Sequence, residues 1–262
     1  MGINGQRPET EAGSNMAKIA EPKDIPRPNV LSGEKLARAP RGERRKRETR
    51  SKLLRAAMSL MAERGLEAVA INEITEAADV GFGTFYNHFS SKEEIYACIV
   101  NWVFEAFADA LERGLEGVSD SAEILSTSIR HTMNHANEDP LWGRFLVREG
   151  MSARGMRGGT GLAGRLNRDI ARGLKTGRFK ASDSFLSFIS VGSTVLGAIV
   201  AELETRDGQT HDGSGPVPTA AMPERTATLV LTILGIDEAE AQKIATAPLS
   251  PIAFHAAEIG DY

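Results

Sequence analysis

Wherever apolar residues recur regularly in this chain, they recur at three, four and seven positions, and no window alternates as a half-buried strand requires. From Glu43 to Arg64 they fall at Leu53, Leu54, Ala57, Met58, Leu60 and Met61, the stripe of an amphipathic helix that Gly65 then stops. Ile71, Ile74 and Ala78 share one face of a short second helix. Asp79-Val80-Gly81 breaks it, and a third short helix carries Phe85 and Phe89 four apart. Ser91 with Glu94 has the form of a capping box, predicting a fourth helix from about Ser91 to Leu111 with Ile95, Ile99, Trp102, Val103, Ala106 and Ala110 buried. Further helices follow. One opens at Asp120 and Glu123 and runs to Asn137, one begins at Pro140, and others cover Leu162–Leu174, Ser182–Glu204 and Pro223–Leu234. Asp237 with Glu240 caps a last short one. The predicted class is all-α, a three-helix helix-turn-helix unit joined to a larger helical domain.

Composition narrows the class. Of 262 residues, 41% are hydrophobic and 25% charged, which is globular usage. A single cysteine excludes a disulfide framework and fits a reducing compartment. No run of consecutive apolar residues approaches the roughly 18 of a membrane span, and Asn4, Gln6, Arg7 and Glu9 lack the apolar character of a secretory signal. A cytoplasmic protein with no membrane partner is therefore expected. The net charge of −4 averages unlike segments. Lys35–Gly65 holds eleven Lys/Arg against three acids, whereas Ala201–Tyr262 holds ten acids against three bases. That asymmetry suits a polyanion-binding head on an acidic body. The expected divisions are a disordered tail over 1–42, the helix-turn-helix over 43–90, an effector and dimerisation domain over 91–247, and a C-terminal tail over 248–262. The first tail ends in Arg41-Gly-Glu-Arg-Arg-Lys-Arg47, read as a basic arm.

Three helices within about 48 residues, the last two short and joined by a tight turn, describe a unit that puts its last helix in the DNA major groove. Gly65-Leu66, Ile71-Asn72-Glu73-Ile74, Ala77-Ala78, Val80, Gly83-Thr84-Phe85-Tyr86-Asn87-His88-Phe89 and Ser91-Lys92-Glu93-Glu94-Ile95 carry a resemblance to the tetracycline-repressor (TetR) family of transcriptional regulators. It is strong over about 55 residues (Arg44–Ile99). Phe85 and Phe89 are expected inside, holding the helix. Gly83 leaves the first turn bare for close approach to DNA. Thr84, Asn87 and His88 are expected at base edges or phosphates, with Tyr86 and Lys92 at phosphates. Arg44, Arg45 and Arg47 add sequence-independent attraction.

The chain departs from the family pattern in four places. Val69-Ala70 stand where hydroxyl residues usually cap the second helix, a loss of about 1 kcal/mol. Asp79 replaces the turn glycine, and Gly81 replaces the serine cap of the recognition helix. Phe82 occupies a position that is often polar or basic; it is read as packing rather than as contact with a thymine methyl.

The resemblance implies that the rest of the chain binds a small effector and forms a homodimer, which would let two recognition helices read a two-fold site. Gly192, Leu196, Ile199, Leu229 and Ile233 are the expected interface. Trp102, Phe104, Phe107, Met133, Trp142, Phe145, Phe185 and Phe188 form a pool for the wall of a largely apolar effector pocket. Arg144, Arg148, Arg165, Arg168 and Arg172 recur at helical spacing. They suit a solvated face better than an anionic effector such as an acyl-coenzyme A. No metal or cofactor is expected. His131 and His135 lie one turn apart without a second ligand helix. Gly159-Thr-Gly-Leu-Ala-Gly164 spells a dinucleotide string with no preceding strand and is read as a flexible linker. Cys98 is read as a structural thiol. The expected function is a ligand-responsive, sequence-specific regulator bound to double-stranded operator DNA, most simply a repressor, with the signal passing through the fourth helix. Two alternatives stand beside it: an adaptor or ligand-binding protein with degenerate DNA binding, and a nucleotide-binding enzyme using Gly159–Gly164.

Overall fold

The computed structural model describes residues 40–150, 152, 161–207, 218–252 and 254. The expected tail before residue 40, Gly159 of the glycine string, most of the 207–221 loop and the end of the C-terminal tail lie outside the described residues. Every regular element among those described is helical: α1 (Arg41–Arg64), α2 (Ile71–Ala77), α3 (Phe82–Tyr86), α4 (Lys92–Val100), a π-helical segment (Asn101–Ala106), α5 (Phe107–Gly114), α6 (Ser121–Glu138), α7 (Pro140–Gly150), α8 (Gly161–Lys175), α9 (Ser184–Arg206), α10 (Met222–Ile233) and α11 (Glu238–Ala245).

Helix α1 starts earlier than its apolar stripe suggests. Arg41–Arg47, expected as an arm, is its first two turns, with Glu43 in the positive first turn. Leu53, Leu54, Ala57, Met58 and Met61 are buried, and Gly65 ends the helix at φ 80°. Ala70 supplies no side-chain cap to α2, yet half of a capping box survives, because the Ala70 N–H donates to Glu73 Oε2 at 2.8 Å. Arg64 binds the other Glu73 oxygen at 2.8 Å and ties the end of α1 to the start of α2. Asp79 takes the glycine's part in the turn, at φ 53°. At α4, Ser91 caps the Glu94 N–H as expected. The Glu94 carboxylate, however, reaches Ser90 rather than Ser91.

The fourth helix is not one continuous α-helix. Asn101–Ala106 widens into the π form before α5 continues, with Trp102 and Val103 buried. Helices α7 and α8 pack against this connector, α6 packs on α7, α8, α9 and α10, and α11 covers α6 and α10. Gly161–Gly164 is not a linker but the first turn of α8. Gly161 (φ 55°) lies so close to the connector that a Cβ there would sit 2.8 Å from Phe104 Cβ. Helix α9 is long and apolar enough to cross a membrane by length and composition, with a mean hydropathy of 1.9. Serines, glycines and a threonine break its apolar residues into short runs. Phe188, Val191, Val195, Ile199 and Leu203 bury one side of it in the domain.

Candidate nucleic-acid interface and effector cavity

Helix α3 is five residues long and too short to persist alone. Phe85 and Phe89 (0% and 1% exposed) pin it into the core shared with α1. Arg50 of α1 clamps its end. The guanidinium lies 4.3 Å over the Phe89 ring, donates to the His88 carbonyl at 3.1 Å and reaches Cys98 Sγ at 3.4 Å. The outward face carries Phe82, Gly83, Tyr86 and Asn87, all exposed, with Thr84 and His88 half-buried. Phe82 does not pack into the core. It is 54% exposed and meets only the edge of Tyr86 among aromatic rings, because one short turn leaves no neighbour to cover it. Gly83 serves no internal packing, since nothing lies within 4 Å of a Cβ built there. Burial, with Arg50 and Lys46 nearby, holds the His88 imidazole below its ordinary range, and its Nδ1 is buried without a partner. His88 thus belongs partly to the core, whereas Asn87 is fully presented.

Beside α3 is a shallow hollow walled by Glu67–Ile71, Tyr86 and Ser90–Glu93. It brings the start of α2, the start of α4, Tyr86 and Lys92 together, although Lys92 Nζ also sits 3.4 Å from the Glu67 carbonyl. Such a hollow can take an anion on backbone N–H groups and an ammonium. Arg44 and Arg45 project from the exposed start of α1, and Arg47 is half-buried. Cys98 is half-buried, and desolvation pushes its thiol up, which fits a structural role.

The larger domain holds a partly open apolar cavity of about 120 Å³ between the connector, α5, α6, α7, α8 and α9. Of the aromatic pool, Phe104 and Phe188 line it. Trp102, Phe107, Met133, Trp142 and Phe145 do not; each is at most 1% exposed and is used up in packing, Phe107 and Trp142 in a cluster with His135 and Phe254. Phe185 is 64% exposed, one turn outside the wall. Aliphatic side chains supply most of the lining (Leu111, Leu125, Ile129, Leu146, Leu162 and Leu166), which an aromatic count cannot find. Gly192 and Leu196, expected at a dimer interface, line the cavity, and Ile199 is buried. The helical repeat puts 188, 192, 195 and 199 on one inward stripe of α9. Leu229 and Ile233 of α10 do face out, 53% and 42% exposed. Arg165 and Asp169 are buried at the cavity wall rather than on a solvated face.

Helix α7 touches both regions. Leu146 and Gly150 line the cavity. Arg148 donates to the Glu63 carbonyl at the end of α1 (3.0 Å), and Glu149 accepts from the Tyr96 hydroxyl of α4 (2.5 Å). Neither contact is legible from helical spacing, because each joins residues more than fifty positions apart.

Residues 53–99 match the family described as bacterial regulatory proteins, tetR family, and residues 120–247 match the tetracyclin repressor-like C-terminal domain. The chain is also similar over nearly its whole described extent to a solved structure, RolR in complex with its ligand resorcinol. Identity is 34%, over 80% of this chain and 99% of that one, with a TM-score of 0.54. The chain belongs to the TetR family of transcriptional regulators. Among curated relatives, it is 31% identical over 140 residues to the HTH-type transcriptional regulator TcmR of Streptomyces glaucescens, and 34% identical over 83 residues to the HTH-type transcriptional repressor KstR2 of Rhodococcus jostii (strain RHA1). Those matches span 49% and 30% of this chain, and 62% and 41% of the relatives. A TetR-family regulator is a helix-turn-helix DNA-binding protein and not an enzyme. Within the matched helix-turn-helix region, α3 is the second of the two short helices, and Gly161–Gly164 form the first turn of α8.

Proposed function

We propose that this TetR-family regulator acts as a cytoplasmic homodimer, binds a two-fold operator through two copies of α3, and leaves it when a small, largely apolar effector fills the cavity of the larger domain. In the DNA contact, Asn87, Thr84 and Phe82 meet base edges, Gly83 lets the backbone approach, and Tyr86, His88 and Lys92 hold phosphates, with Arg44, Arg45 and Arg47 adding attraction. The observation that carries this is the exposed face of Phe82, Gly83, Tyr86 and Asn87 on a helix that Phe85 and Phe89 pin into the core. The hollow joining Tyr86 to Lys92 supports the phosphate assignment.

Dimerisation is supported by α9 and α10. Only 28% of the apolar window of α9 is buried within one chain, and Leu186, Leu229 and Ile233 stand exposed. The small residues Ser190 and Gly197 lie on the same outward side of α9, which suits close approach of a second helix. The effector assignment is supported by the cavity and by RolR having been solved with resorcinol. Release follows as a population shift. A ligand against Phe104, Leu146 and Gly150 moves the π-helical connector and α7, and α7 holds α1 and α4 through Arg148 and Glu149. Selection of bound DNA from a random pool, followed by a screen for small molecules that release it, tests this. Release of a selected duplex by a ligand, lost in Leu196→Trp, which fills the cavity, is the expected result. Unchanged operator affinity at saturating ligand overturns the allosteric half.

A further inference from the structure

Among the described residues of the helix-turn-helix, two large apolar side chains stand exposed, Phe82 at 54% and Tyr86 at 52%. They lie one turn apart on α3, with ring centroids 5.6 Å apart and ring planes at 70°. Tyr86 in turn meets the edge of the buried Phe85 at 5.4 Å, and Phe85 meets Phe89 at 5.7 Å. This column of rings starts in the core shared with α1 and ends in solvent at Phe82, the first residue of α3. The backbone beside that ring is bare, since nothing lies within 4 Å of a Cβ built on Gly83. A large apolar side chain left uncovered beside a polar, basic surface is the informative case, because the fold gains little from it.

We infer that Phe82 determines sequence specificity: its ring packs against the C5-methyl group of one thymine in each half of the operator, with Tyr86 behind it. This rests on the reading of α3 as the helix that enters the major groove. In such a helix the residues at the N-terminal end reach base edges, and Phe82 holds that position. A phenyl ring offers no hydrogen bond to a base. Of the groups that base pairs present in the major groove, the thymine methyl is the apolar one. The polar edges of guanine, cytosine and adenine would lose water to the ring and gain no partner. Tyr86 limits where the ring can go, because its edge contact braces Phe82 from one turn farther along. Tyr86 also walls the hollow with Ser91 and Lys92 that is assigned to a phosphate. One phosphate contact thus sets the depth at which Phe82 meets the base. Asn87, exposed at the far end of α3, supplies the hydrogen bonds that the ring does not.

The test is fluorescence anisotropy of the full chain on a duplex selected from a random pool, with each thymine in turn replaced by deoxyuridine. That change removes the methyl and leaves every hydrogen bond in place. One thymine per half-site should stand out. Its methyl should be worth about fourfold in affinity, and the two halves together about tenfold or more, as expected for one and two buried methyl groups. At the same position 5-methylcytosine should bind about fourfold tighter than cytosine, for the same reason. In Phe82→Ala, assayed at lower salt so that weakened binding stays measurable, both ratios should fall to near one. Ratios near one at every thymine with the wild-type protein, or ratios that persist in Phe82→Ala, overturn the inference and leave α3 on the operator through its polar residues. A changed oligomeric state in Phe82→Ala with unchanged ratios also overturns it, and assigns the ring to contact between copies of the chain. No preference for the selected duplex over a scrambled one overturns the reading of α3 and the inference together. The wild-type ratios need no variant, so a negative scan stands whether or not Phe82→Ala folds.

Discussion

Replacing Gly83 by alanine separates folding from DNA binding with a single methyl group. Gly83 lies in the first turn of α3, outside the left-handed region, and a Cβ there meets no heavy atom within 4 Å. The folded chain therefore accepts alanine without strain, and the reduced freedom of the unfolded chain raises stability by about 0.4–1 kcal/mol. On the DNA side the methyl stands on the face shared with Phe82, Tyr86 and Asn87. It holds the helix off the duplex and weakens one or two charge-assisted hydrogen bonds, each worth about 1.5–3 kcal/mol. Operator affinity should fall at least tenfold, since about 1.4 kcal/mol is one decade. Fluorescence anisotropy with a selected duplex at fixed salt, beside thermal unfolding of the same samples, measures both. A variant as stable as wild type and defective on DNA is the expected result. Wild-type affinity would refute the placement of the first turn of α3 against DNA. A marked loss of stability would refute the open space around Gly83.

Three further outcomes follow from the packing. Burial holds His88, His131 and His135 below the ordinary histidine range, so the unfolded chain takes up protons first and stability should fall as pH drops below about 6.5. His135→Phe, seated among Phe107, Trp142 and Phe254, should flatten that slope in urea titrations at pH 7.5 and 5.5; the upward-shifted carboxylates Asp169 and Glu202, which act in the opposite sense, cancel in the comparison. Leu229→Glu with Ile233→Glu should turn dimers into monomers by analytical ultracentrifugation and weaken operator binding, while circular dichroism stays helical. Arg148→Met with Glu149→Gln should leave effector affinity within about twofold and reduce effector-driven release of DNA by about fivefold or more, because allosteric couplings are typically 1–3 kcal/mol and these residues hydrogen-bond α7 to α1 and α4.

Local rules made the helix-turn-helix legible. Phe85 and Phe89 at helical spacing, Gly65 after the last turn and Ser91 before the next helix each act within a few residues. Asp79 was readable for the same reason, since φ 53° is a property of one residue. Phe82 was misjudged because its exposure depends on how few neighbours a five-residue helix has, and no local rule counts them. The site in the larger domain was harder still. Helical periodicity shows that α9 has an inward face but not what it faces, so it does not reveal that Gly192 and Leu196 line the cavity. Arg165 and Asp169 carry charges that argue for solvent, and only the packing of α8 against α5 and α6 buries them. The basic segment did point to the DNA-binding end, but as the first turns of α1 rather than as an arm.

The most direct measurement is equilibrium binding of the full chain to a duplex selected from a random pool, against a scrambled duplex of equal length and salt. A two-fold reader predicts two protomers per selected duplex and a preference of about a thousandfold or more over the scrambled one. Equal affinity for the two duplexes, or one protomer per site, would contradict it.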